Sequence, residues 1–135
     1  MNPVCDRVVM AGLDDWLSLS AIHSRVAESY PSRPLTETQS VTLETIHMLV
    51  RQELAQLGQL SELTGRFRAY EMPIGECLKD LENAYIAYFY DASAWAWWCW
   101  LQLAEKGETV ARSLIEQMPG PQRAPVKIGA PDLVY

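Results

Sequence analysis

Four of the five tryptophans fall within six residues, in the run Ala94-Trp95-Ala96-Trp97-Trp98-Cys99-Trp100-Leu101-Gln102-Leu103. Strict alternation places Trp95, Trp97, Cys99, Leu101 and Leu103 on one side of a strand. Trp98, Trp100 and Gln102 take the other side. A strand with large rings on both faces is either sandwiched inside a core or offers one face to a partner. A chain of 135 residues is long enough to bury such a strand in one domain without staples. Its hydrophobic content of 49% and charged content of 21% are those of an ordinary globular protein.

The surrounding periodicity is mostly helical. Asp14 and Asp15 precede Trp16, Leu19, Ile22, Val26 and Ala27, a spacing of threes and fours that predicts a capped helix ending near Tyr30, before Pro31 and Pro34. Thr36-Glu37-Thr38-Gln39 has the form of a capping box. The run after it, through Val41, Ile46, Leu49, Val50, Leu54 and Leu57, predicts a long helix stopped by Gly58, with a break near Thr42 and Thr45. Residues 60–63 and 66–70 then read as a hairpin around Thr64-Gly65. Pro73 sits at the first position of a clear amphipathic helix carrying Ile74, Cys77, Leu78, Leu81, Ala84, Tyr85, Tyr88 and Phe89. A turn at 91–94 leads to the tryptophan strand. Val110, Ala111, Leu114, Ile115 and Met118 define a last helix.

The expected organisation is therefore a flexible leader at 1–13, one globular domain at 14–118, and an extended, proline-rich C-terminal tail at 119–135. The fold class is α+β: a helix-rich single domain with a small three-stranded antiparallel sheet, in which the tryptophan strand joins the hairpin.

Two short motifs carry a family resemblance. Leu54-Ala55-Gln56-Leu57-Gly58-Gln59-Leu60 resembles the exit of a recognition helix and the first wing strand of a winged-helix domain. Leu103-Ala104-Glu105-Lys106-Gly107-Glu108 resembles the Leu-Thr-Glu-Lys-Gly strand-to-helix turn of MarR-like regulators, with Ala104 where threonine is usual. The resemblance spans residues 14–118 in outline and implies a winged-helix-like topology. The chain departs from it by placing a helix and the tryptophan strand between wing and turn.

Chemistry is sparse. The sequence has no Gly-x-Ser-x-Gly and no phosphate-binding loop, so nothing points to an enzyme. His23, His47, Cys5, Cys77 and Cys99 are never three or four residues apart, so no metal-ligand spacing exists, and no cofactor is expected. His23 reads as a histidine at the edge of an apolar stripe. Three cysteines without a CxxC motif argue for free thiols in a reducing, cytoplasmic setting. No segment has the length and apolarity of a membrane span.

Charge narrows the partner. The net charge is −6, with 17 acidic residues against 11 lysines and arginines. That balance disfavours a phosphate backbone as partner. Glu71, Glu76, Asp80, Glu82 and Asp91 cluster around the helix that starts at Ile74, against the single base Lys79. Glu76 and Asp80 repel one another at i, i+4. Such a face suits a basic protein partner, with Tyr85, Tyr88, Tyr90, Trp98 and Trp100 as aromatic anchors. The expected function is a non-catalytic protein-binding module, an immunity- or antitoxin-like protein that occludes a basic bacterial toxin. The alternative is a winged-helix DNA-binding regulator, with Arg51, Arg66 and Arg68 on phosphates.

Overall fold

A computed structural model describes residues 3–61, 63–96 and 99–118. The element order is α1 (Pro3–Gly12), β1 (Leu17–Ser18), α2 (Leu19–Ser29), α3 (Leu35–Arg51), β2 (Ala55–Leu60), β3 (Phe67–Ala69), α4 (Ile74–Ala87), the single turn α5 (Ala92–Trp95), β4 (Trp100–Leu103) and α6 (Glu105–Glu116). The class is α+β, as expected. The sheet has four strands rather than three, in the order β1-β4-β2-β3, and every pairing is antiparallel.

The supposed leader is a helix. Val4, Cys5, Val8 and Val9 of α1 are buried, a stripe at i, i+1, i+4 and i+5 that packs on α6, α2 and β4. Gly12 closes α1 against Leu103, where an added Cβ would come within 2.9 Å of the leucine side chain. Helix α1 is thus part of the core, because four buried side chains outweigh the ordering cost of ten residues only when α6 is there to cover them.

Helix boundaries differ from the expectation for local reasons. Ser18 caps α2, its Oγ accepting from the Ala21 amide at 3.1 Å, so Asp14 and Asp15 lie outside the helix. Helix α3 starts two residues earlier than the capping-box reading. The Pro34 carbonyl accepts from Glu37 and Thr38, and no side chain caps. Thr42 and Thr45 do not break it. Their hydroxyls donate back to the Thr38 and Val41 carbonyls at 2.7 Å.

Helix α3 ends at Arg51, six residues before the expected stop. The Leu54 amide bonds the Leu49 carbonyl and the Glu53 amide bonds the Val50 carbonyl, a Schellman arrangement with Glu53 at φ +61° where glycine is usual. Gly58 is therefore a strand residue. A Cβ there would lie 2.1 Å from the Arg68 carbonyl oxygen, so β2 and β3 approach too closely for any side chain.

The tryptophan run is not one strand. Trp95 lies in α5, and pairing begins only at Trp100. Trp97 and Trp98 lie outside the described residues, as does the expected tail at 119–135. Within β4 the alternation holds. Leu101 and Leu103 are buried and face Leu57 and Ala55, while Trp100 and Gln102 project to the opposite face beside Gly58 and Gln56. On that opposite face Trp16 and Phe67 stack with ring centroids 6.5 Å apart.

The strand-to-helix turn at Ala104 forms where the motif placed it. The Ala104 amide donates to the Leu54 carbonyl at 2.9 Å. A Cβ at Gly107 would sit 2.0 Å from that same oxygen, so only glycine lets α6 come this close to the end of α3. No helix of the described residues is long and apolar enough to cross a membrane.

Candidate functional site

Helix α4 has two unlike faces. Its inner stripe, Cys77, Leu78, Leu81 and Tyr85, is buried against the core and α3. Tyr85 is fully buried, which removes it from the expected set of surface anchors. Its ring packs against His23, Phe89 and Trp95, with centroids 5.0–5.9 Å away. Its hydroxyl is hydrogen-bonded to His23 Nδ1. Burial pushes the Tyr85 phenol up to about 12, partly offset by a hydrogen bond with Thr42. Burial also holds His23 below its ordinary value. The sequence reading of His23 as a residue at the edge of the apolar stripe thus matches a half-buried histidine held by one tyrosine. Trp95 completes the cluster by stacking on Phe89 at 4.9 Å and donating its Nε1–H to the Phe89 carbonyl at 2.5 Å.

The outer face is acidic and apolar together. Glu76, Asp80 and Glu82 are exposed. Among the described residues no ion pair neutralises any of them. Along the same stretch of chain, Ile74 and Ile86 are each 46% exposed, Tyr88 60% and Tyr90 91%. Met72 adds a partly exposed thioether. Apart from Leu63, every exposed large hydrophobic residue among the described residues falls between positions 72 and 90. The core stripe at 77, 78, 81 and 85 was legible from spacing. Tyr90, expected as an anchor, is the most exposed of these aromatics, whereas Ile86 was missed, although it lies off that stripe, which was the available signal.

The remaining expected residues are dispersed. Glu71 is exposed before α4 and pairs with Arg68 at 3.8 Å. Asp91 is exposed beyond α4 and accepts from Ser93 Oγ at 2.6 Å. Both flank the α4 surface. Trp100 is half-buried on the outer face of the sheet, not beside α4, so it is not part of that surface. Trp98 lies outside the described residues. Arg66 and Arg68 are exposed on the hairpin, and Arg51 is exposed at the end of α3.

A cavity of about 440 Å³ opens at the N-terminal end of α4. Its wall includes Val50, Leu57, Ala69 and Ile74, and Glu53 stands among the lining residues. The Tyr70 phenol in its wall is pushed up to about 12, chiefly by burial, so it stays neutral. Cys77 also lines it, but burial and neighbouring Asp80 raise that thiol, which keeps it protonated and unreactive. Cys5, Cys77 and Cys99 are free and buried. No group of three or more metal-ligating side chains occurs among the described residues.

No protein-family model matches the chain, and no curated protein or solved structure matches it at a significant level.

Proposed function

We propose that this protein is a non-catalytic protein-binding module, an immunity- or antitoxin-like protein that uses the outer face of α4 to occlude a basic bacterial toxin. The observation that carries this reading is the concentration, in the segment 72–90, of exposed apolar side chains together with Glu76, Asp80 and Glu82, which no described ion pair engages. Exposed apolar side chains interspersed with charges are the composition of a binding patch. Carboxylates steer a basic partner to the encounter, and Tyr88, Tyr90 and Ile86 are desolvated on docking and slow its departure. Three buried free thiols suit a cytoplasmic setting.

A winged-helix-like frame is part of the same proposal. Two helices, α2 and α3, lie between β1 and β2, and β4 pairs between those strands before running into α6. On this reading β3, α4 and α5 are an insertion inside the wing. The insertion argues against the alternative function, a DNA-binding regulator. A recognition helix meets base edges through its N-terminal half. In α3 that half is buried at Thr38, Gln39 and Thr42, with Gln39 Nε2 3.5 Å from the Tyr85 carbonyl of α4. Its exposed positions carry Glu37 and Glu44.

Two measurements test the proposal. The pair Glu76→Lys and Asp80→Lys is expected to abolish capture of a basic protein that the unaltered chain retains from its native host, with circular dichroism unchanged. Capture that survives the charge reversal defeats the reading. Duplex DNA at low salt is expected to stay unshifted at micromolar protein. A shift that disappears on replacing Arg51, Arg66 and Arg68 would establish the regulator instead.

A further inference from the structure

We infer that the cavity at the N-terminal end of α4 receives one lysine or arginine side chain of the basic partner, its aliphatic stem against the apolar wall and its cation at Glu53. The inference rests on the proposed binding role of the α4 surface and names the chemistry of the contact.

Shape comes first. Ala55, Ala69 and Ala104 line the cavity, and their short side chains leave its interior open. Volumes of several hundred Å³ lined mostly by apolar groups are those of sites that enclose a small ligand or a side chain. Continuity comes second. Met72 and Ile74 line the cavity and are also part of the exposed patch, so a partner lying along α4 reaches the opening.

Charge decides the occupant. Glu53 is the acidic residue in the lining, and no described ion pair engages it. The nearby cation Lys106 donates instead to the Gln52 carbonyl at 3.0 Å. A lining that combines apolar side chains with polar groups and one carboxylate matches a side chain with a methylene stem and a cationic head, the pattern by which lysine and arginine bury their stems. It rejects an anion of the same shape. Glu53 also holds φ +61°, a conformation glycine adopts more readily, yet the carboxylate is at that position.

The test is a methyl and amide NMR titration of the full chain at constant ionic strength, with n-butylammonium and, separately, pentanoate. Butylammonium is expected to shift the Ala55, Ala69 and Ala104 signals. Pentanoate is expected to bind at least about fivefold more weakly. Glu53→Gln should bring the two ligands within about twofold of each other, and Ala104→Leu should block both. Equal binding of the two ions by the unaltered protein overturns the inference. So does a cation preference that survives Glu53→Gln. So do cavity signals that move with protein concentration alone, which would mean that a second copy fills the site. The glutamine variant keeps the test decisive if the leucine variant does not fold. The two proposals fail separately: surviving capture after charge reversal at 76 and 80 sinks the α4 surface, whereas loss of the charge preference sinks only the cavity.

Discussion

Tyr85 lies in α4 and Tyr88, three residues on, caps its C-terminal end, and the two have opposite fates. Tyr85 is fully buried, held by His23 and enclosed by Phe89 and Trp95. Tyr88 is 60% exposed. Residue type and local spacing are nearly the same for both. What separates them is where the helix ends: Tyr85 is in its last turn, within the buried stripe, whereas Tyr88 is the C-cap, beyond the last helical residue Ala87. Aromatic content near an acidic helix therefore does not identify a binding surface. The proposed binding side is the one the fold leaves uncovered, and it also holds Glu76, Asp80 and Glu82, which no described ion pair engages.

That contrast can be broken from either side. The largest effect is expected inside. Trp95→Ala should cost about 3–5 kcal/mol, because it removes a buried ring and its hydrogen bond to the Phe89 carbonyl. Tyr88→Ala should stay within about 0.5 kcal/mol. Denaturant midpoints on the pair check this, and comparable losses would mean that both faces of α4 are structural.

Tyr85→Phe is a milder probe of the interior. It keeps the ring and leaves His23 Nδ1 without the hydroxyl, for a loss of about 1–2 kcal/mol by chemical denaturation. The same contact predicts a pH dependence. Burial lowers the His23 pKa in the fold relative to the ordinary 6.5, so the unfolded chain binds the extra proton first. This contribution is complete above pH 6.5 and is lost as the pH falls through the folded value. Thermal melts between neutral and mildly acid pH should show that decline, and His23→Phe should flatten it. A wild-type profile with no decline would mean that the histidine is not protected.

At the turn after α3, Glu53→Gly should raise stability by less than about 1 kcal/mol. Relief of the left-handed backbone is partly cancelled by the freer unfolded chain. A measured loss would show that the glutamate makes a stabilising contact. The smallest effect belongs to the outer face. Asp80→Lys should change stability by about +0.3 kcal/mol, since it turns an i, i+4 repulsion with Glu76 into an attraction. A loss above about 1 kcal/mol would show that the acidic stripe supports the fold.

Much of the molecule was legible in advance because a helix writes its buried face into local spacing. The stripes of α2 and α4 were read from residues three and four apart, and the turn into α6 from the Leu103–Glu108 motif. The same spacing was present in Val4, Cys5, Val8 and Val9 but was too short to stand out without α6 beside it. The end of α3 was misread because its stop is a glutamate in a conformation that glycine signals, while the real glycine, Gly58, serves a close strand contact instead. The tryptophan run failed differently. Alternation was correct for Leu101 and Leu103, but nothing in the run itself shows that pairing starts at Trp100 and that Trp95 belongs to a helical turn.

By itself the sequence determined the helical phases, the acidity of the α4 segment and the α+β class, since these depend on neighbours within a turn or two and on composition. Tertiary structure alone decided that β4 lies between β1 and β2, that Tyr85 turns inward while Tyr88 does not, and that three alanines and Glu53 border one cavity. These outcomes join residues tens of positions apart. They follow from which surfaces meet when the chain closes, and local periodicity carries no record of that meeting.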